Sequence, residues 1–392
     1  MADFRTKNQT VTAKPEAVSG IEESPTVAAN AIKVSSPQYS PNFDVLDTDD
    51  EATGSLDVGN PIVGGGNATI NYDVTMRGSG AGGTAPEYGA LLRGCGLSET
   101  VTAADVTGTA TAGAASTVTL AAGASAVDDA YKGMVIEIDG GTGSGQSAVM
   151  TGYVGSSKVA TVAAAWTTAP DATSTYTIPA NALYRPASTG LETLTIFDYQ
   201  HSSASGGQSL LRKLIGAAGT MNLAIDTRGI GRMSFNFTGI LPALPAQVAH
   251  PGSATYDNVQ AEAFKNAEAL MGGAVVKFGN FSLDLGGEIS QADDPAATYG
   301  YDIAGLTKRK VTGSITPLLA NLATRNNMSD FMNQNSKTIV TRWGSVAGKR
   351  VSLLVPTAKL TGAAPGDSSG YANEDVPFQS TGVDDGCWLC IH

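Results

Sequence analysis

The chain has 392 residues, enough for two or three domains with cores of their own, and only 15% of them are charged. Lys and Arg number 24 against 36 Asp and Glu, a net charge of −12, which repels phosphate and argues against a protein that grips nucleic acid. Mean hydropathy close to zero excludes a fully disordered chain, and the lack of any apolar run of about 18 residues excludes a helical membrane span.

Glycine is abundant (47 residues), Ala, Thr and Val are frequent, and aromatics make up 6%. That composition predicts a mainly β chain with many turns. Three cysteines, Cys95, Cys387 and Cys390, are too few for a disulfide framework and suit a reducing cytoplasm. The first residues are polar and lack the apolar stretch of a secretory leader. Triplets such as Asn67-Ala68-Thr69 and Asn236-Phe237-Thr238 then read as chance glycosylation matches.

Residues 1–60 are polar, rich in Pro and Ser, and carry an acidic cluster at Asp47, Asp49, Asp50 and Glu51. They read as an N-terminal arm that orders against neighbouring subunits. Over residues 68–76, Ile70, Tyr72, Val74 and Met76 alternate with Asn71, Asp73 and Thr75, the pattern of a half-buried strand. A glycine-rich loop at 78–84 precedes a predicted helix at 86–97, whose Tyr88, Leu91, Leu92 and Cys95 share one face.

Residues 103–178 turn rich in Ala, Thr, Gly and Ser, with strand-like runs at 117–120, 134–138, 148–153, 159–162 and 174–178. This predicts a small β domain. It interrupts a larger one, because strands resume at 192–199, 220–226 and 232–239. The first domain is therefore discontinuous, 61–102 and 179–240. Pro242, Pro245 and Pro251 mark a linker over 241–255. The second half, 256–392, offers a strand at 308–317 and a helix at 318–335 with Leu319, Leu322, Met328, Phe331 and Met332. Strands follow at 337–343, 350–355 and 375–381. The order of elements matches the first half, which suggests an internal duplication.

Several motifs carry possible chemistry. Gly366, Ser368 and Gly370 fit the G-x-S-x-G elbow, but no apolar strand precedes them, no helix follows, and the only later histidine is His392. A surface loop is the expected outcome. Residues 78–83 and 140–145 are glycine-rich without the Gly-Lys-Ser/Thr ending of a phosphate cradle, so they predict close backbone packing. Cys387, Cys390 and His392 supply half a zinc site at most, and an apolar tail fits them better. Asp293-Asp294 and Asp384-Asp385 read as solvated loops. No residue is nominated as catalytic, cofactor-binding or metal-ligating, so no cofactor and no enzyme activity is expected.

Residues 74–101, VTMRGSGAGGTAPEYGALLRGCGLSETV, resemble the signature stretch of siphophage major tail tube proteins, where a strand ends in a small-residue loop and a helix reads GxLLRxCG. Three later blocks resemble the same family in the same order: YRPASTGLETLTIF at 184–197, LIGAAGTM at 214–221 and MSFNFTG at 233–239. RKVTGSITP at 309–317 and VSLLVP at 351–356 resemble a second tube domain. The chain departs from short family members in its insertion at 103–178 and in this second half.

The resemblance implies two tandem tail-tube β-sandwich or barrel domains, each flanked by a helix, plus an inserted small β domain projecting outwards as decoration. Removing residues 104–178 should then leave tube formation intact. It also implies a virion protein, assembled in the bacterial host cytoplasm, whose trimeric, pseudo-sixfold rings stack into a tube. The tape measure protein would lie inside, tail completion and distal tail proteins at the ends. DNA would pass an acidic lumen without sequence-specific binding. A carbohydrate- or cell-surface-binding decoration or tail fibre protein is the alternative; Tyr131, Tyr153, Trp166 and Tyr176 are its few aromatic candidates.

Overall fold

The computed structural model describes residues 4–47, 56, 60–203 and 207–392. Twenty-eight strands and two short helices run along them, so the chain is mainly β, as its composition requires. The first half opens with β1 (Phe4–Pro15), β2 (Ala31–Ile32), β3 (Ser35–Leu46), β4 (Ile62–Thr75), α1 (Gly89–Gly94) and β5 (Leu97–Thr102). Then come β6 (Val106–Thr109), β7 (Ala112–Ala114), β8 (Thr117–Thr119), β9 (Val135–Gly140), β10 (Ser147–Val154), β11 (Val159–Val162) and β12 (Thr175–Ile178). The half resumes with β13 (Asn181–Pro186), β14 (Leu194–Ser202), β15 (Gln208–Asp226) and β16 (Arg232–Ile240). β17 (Ala246–Ala249), β18 (Glu268–Met271) and β19 (Ala274–Val275) lead to β20 (Phe278–Asp284), β21 (Gly287–Asp293), β22 (Tyr301–Arg309) and β23 (Thr312–Pro317). The chain closes with α2 (Asn327–Met332), β24 (Ser336–Trp343), β25 (Val351–Leu360), β26 (Ala364–Ser368), β27 (Tyr371–Ser380) and β28 (Trp388–Ile391).

Three antiparallel layers enclose the main core. The first runs β3-β4-β16-β15-β20-β23-β27-β26 through both halves. The second, β2-β1-β14-β15-β17, shares β15 with the first: the N-terminal part of that strand pairs with β14 and β17, the C-terminal part with β16 and β20. Gly216 has φ +55°, a backbone state that favours glycine, and interrupts the β15 register between Leu214 and Ala217. The third layer, β19-β18-β24-β25-β28-β13-β5, again mixes the two halves. Between them lie Tyr88, Leu91 and Leu92 beside α1, together with Tyr72, Phe235, Phe237, Phe281 and Phe378.

Three expectations need correction. Residues 4–46 are not an arm awaiting neighbours: β1 pairs with β14 and β3 with β4 in the chain itself. Glu16 fixes this segment, its buried carboxylate accepting from Thr193 Oγ1 (2.6 Å), Thr195 Oγ1 (2.9 Å), Gly20 N (2.7 Å) and Gly216 N (2.8 Å). Of the acidic cluster, Asp49, Asp50 and Glu51 lie outside the described residues. The linker holds a strand, β17, on the edge of β15. Both helices are single short segments, because Gly96 (φ +77°) halts α1 just before β5 and Asn326 caps α2 only at its ninth residue past Pro317.

The insertion forms its own seven-stranded sheet in the order β6-β12-β9-β10-β11-β8-β7. It does not hang free. Its core of Val118, Ile136, Met150 and Tyr176 is continuous with Leu183, Leu270, Val340, Leu354, Trp388 and Cys390 of the third layer. Their neighbours Ala182, Tyr184, Leu353, Val355, Leu389 and Ile391 face the main core instead. Strands covered on both faces need near-continuous apolar runs, which is why β25 and β28 read VSLLV and WLCI, the buried Ser352 being paired with His392. Two ion pairs add to this joint, Lys132–Asp385 at 2.7 Å and Arg350–Glu137 at 2.6 Å.

Candidate functional surface

The first layer has one buried face and one open face, set by strict alternation. Along β4, Ile70, Tyr72 and Val74 point inward while Asn71, Asp73 and Thr75 point out; along β16, Met233, Phe235 and Phe237 point inward while Ser234 and Asn236 point out. The open face continues through Thr220, Asn222, Asp226, Ser282, Asp284, Thr312 and Ser314 to Asp375 and Gln379. It is concave, with hollows of about 740 Å³ between β4 and β27 and about 360 Å³ between β3 and β15.

Small neutral polar groups dominate this face, and its charges are unbalanced. Asp73, Asp226, Asp284 and Asp375 oppose Arg232, with Lys310 at the rim. Neighbouring side chains hold the carboxylates: Ser234 donates to Asp73 and Ser314 to Asp375. Asn222, with its amide nitrogen turned inward to the pair, donates to Asp284 at 2.7 Å. Such a face presents negative charge and hydrogen-bonding groups already engaged with one another.

The order of strands repeats. In the first half a hairpin partner, the strand before the helix, the closing strand and its companion lie as β3-β4-β16-β15. In the second half the equivalents lie as β20-β23-β27-β26. A two-stranded hairpin follows each helix, β5–β13 and β24–β25. The halves meet head to tail, β15 against β20, over five residue pairs from Asn222↔Asp284 to Asp226↔Asn280. Two edges of the first layer stay open among the described residues: β3, which pairs only with β4, and β26, whose five residues pair only with β27.

The motifs nominated in sequence fall away from any reactive grouping. Ser368 ends β26 in a tight hairpin turn, with Ser369 and Gly370 at φ +54° and +85°, and strand rather than helix follows. His392 lies elsewhere, buried, with Nε2 3.1 Å from Ser352 Oγ. In the 78–83 loop, Gly80 N donates to Gly348 O at 3.1 Å, and a Cβ on Gly78 would come within 1.9 Å of that same oxygen. Cys95, Cys387 and Cys390 are buried free thiols; burial pushes Cys387 and Cys390 up to about 12. No group of three or more His, Cys, Asp or Glu could hold a metal ion among the described residues.

Asp384 and Asp385 lie in a partly exposed loop, as expected, but both are paired. Asp384 accepts from Ser188 Oγ (2.7 Å) and pairs with Arg309 (3.1 Å), while Asp385 pairs with Lys132. Their partners are distant in sequence, so nothing local signalled them. No helix among the described residues is long and apolar enough to cross a membrane. Neither a protein-family model nor a curated protein matches the chain.

Proposed function

We propose that the chain is a structural virion protein, the subunit of a phage tail tube. The observation that carries this reading is the head-to-tail joint between β15 and β20. A heterologous contact inside one chain leaves a complementary pair of edges outside it. The β26 edge of one copy is equivalent to β15, and the β3 edge of the next is equivalent to β20. Repeating the joint closes a ring whose wall is the first layer, and closure removes edges that would otherwise aggregate.

Eight strands per copy make 24 in a trimer, the number of copies the family resemblance implies. With strands about 4.8 Å apart and tilted by about 40°, such a barrel is roughly 45–50 Å across between backbones. The open polar face would line it. Its excess of aspartates disfavours adsorption of a like-charged genome, which suits a conduit occupied first by the tape measure protein and then by DNA. Tail completion and distal proteins would cap the ends.

The carbohydrate-binding alternative draws no support from the insertion, since Tyr131, Tyr153, Trp166 and Tyr176 all lie in its core. Mass measurement and negative-stain microscopy of the purified protein test the proposal. Trimers and hollow tubes are expected. Monodisperse single chains at all concentrations would overturn it.

A further inference from the structure

The linker between the halves crosses the second layer on a weak footing. β17 adds to the N-terminal part of β15 through four residue pairs, from Gln208↔Ala249 to Leu211↔Ala246. Ala246, Gln247 and Ala249 are exposed. Pro245 and Pro251 flank the strand and have no N–H to extend its ladder. Beneath it lies a small apolar cluster, Val27, Phe197, Tyr199 and Leu211, against which Val248 and Ala254 pack.

Two histidines fasten this strap at its end. The ring of His250 stacks on that of His201, with centroids 4.4 Å apart and planes 29° from parallel. His201 is buried, its Nε2 2.9 Å from Thr10 Oγ1 and its Nδ1 2.8 Å from Ser209 Oγ. A neutral imidazole serves both hydroxyls, donating through one nitrogen and accepting through the other. Gly252 N donates to His250 Nδ1 at 3.1 Å, which orients the exposed ring over its partner.

The surroundings do not favour two charged rings. Thr10 and Asn8 reach His201 from β1, Ser209 from β15 and Tyr199 from β14, and none of them is charged. Asp198 points to the opposite face of β14, where Arg212 and Gln9 hold it. Lys213 stands over Phe197 and pairs with Glu22, while Arg5 and Lys7 of β1 are exposed. Among the described residues, no carboxylate pairs with either ring. Burial, then the charge of His250, holds His201 below the ordinary imidazole value. The closed strap therefore binds fewer protons than the open one. Its fastening is complete above about pH 6.5 and is lost as the pH falls towards that lowered value.

We propose that the His201–His250 stack is an acid-released fastening, and that in mild acid the strap at 241–254 leaves β15 and uncovers Phe197, Tyr199 and Leu211. A proton on each ring sets two positive charges 4.4 Å apart, and the strap is the part free to move. Beyond it the linker is anchored again, since Asp257 exchanges hydrogen bonds with Glu87 and accepts one from Lys33. Release gives the second layer an open strand edge beside apolar side chains, a surface for association that exists only in acid. The inference concerns the second layer and is independent of the tube reading.

Hydrogen exchange of the full chain, followed by mass spectrometry and corrected for the intrinsic effect of pH, reads the opening directly. Between about pH 7.5 and about pH 5, residues 246–250 should lose about ten- to thirtyfold of their protection, while the β20–β23 ladder keeps its own. His250→Tyr keeps an uncharged ring over His201 and should hold the strap equally at both pH values. Unchanged wild-type protection, or an acid loss in His250→Tyr as large as in the wild type, overturns the proposal. A loss shared equally by β20 and β23 is general acid unfolding and overturns it too.

Discussion

Removing residues 104–178 tests whether the insertion is decoration or part of the wall. In the folded chain Leu183, Leu270, Val340, Leu354 and Trp388 are at most 5% exposed, and the insertion covers one side of each. Full burial of such side chains stabilises by about 1.5–3 kcal/mol each. Assigning half of that to the insertion gives about 4–8 kcal/mol for five residues, comparable with the whole stability of an ordinary domain at about 5–15 kcal/mol. Asp385 and Arg350 also lose their partners, Lys132 and Glu137 of the insertion. The deletion variant is therefore expected to be insoluble or to melt far below the intact chain, contrary to what a pendant module would do. Leu354→Thr, Val340→Thr and Trp388→Gln in the deletion background should restore solubility by making the bared face polar. Thermal denaturation and sedimentation read both outcomes. A plain deletion variant with an unchanged melting temperature and normal assembly refutes the reasoning.

Three further outcomes follow from the geometry. Asp73→Lys with Asp284→Lys reverses the sign of the open face and should slow genome passage in ejection assays, whereas unaltered kinetics would count against a repulsive lumen. Gly78→Ala should destabilise by about 1–3 kcal/mol in thermal unfolding, because backbone and not a flexible side chain obstructs the new methyl; an equal melting temperature would contradict that packing. Burial, then Arg350 and Arg342, hold His392 down to about 3. Its folded value lies below the unfolded one, so this contribution is complete above about pH 6.5 and is lost towards pH 3, by up to about 1.4 kcal/mol per pH unit. His392→Gln should flatten that slope, and an identical acid profile would exclude the histidine as its source.

The sequence is legible where one face of a strand is buried and the other is wet. β4 and β16 alternate residue by residue, and their inward and outward sets match the observed faces. It is less legible at edges. β3 is exposed along most of its length, so its Pro- and Ser-rich sequence lacks any periodic signal, and β17 is four residues between prolines. Helical periodicity overreached: Leu319 and Leu322 share a helical spacing with Met328 and Met332, yet the first two sit in the turn ahead of α2. The open face was anticipated only as acidic. Its arrangement depends on the β15–β20 and β23–β27 pairings, which join residues about 60 positions apart and leave no local trace.

The central claim is that the in-chain joint recurs between copies. Electron cryomicroscopy of the purified, concentrated protein measures this directly. The account predicts a hollow tube in which β26 of each copy pairs with β3 of the next, and the face bearing Asp73, Asp284 and Asp375 lines the lumen. A tube lined by another face, or copies in contact with β3 and β26 both left unpaired, would contradict it.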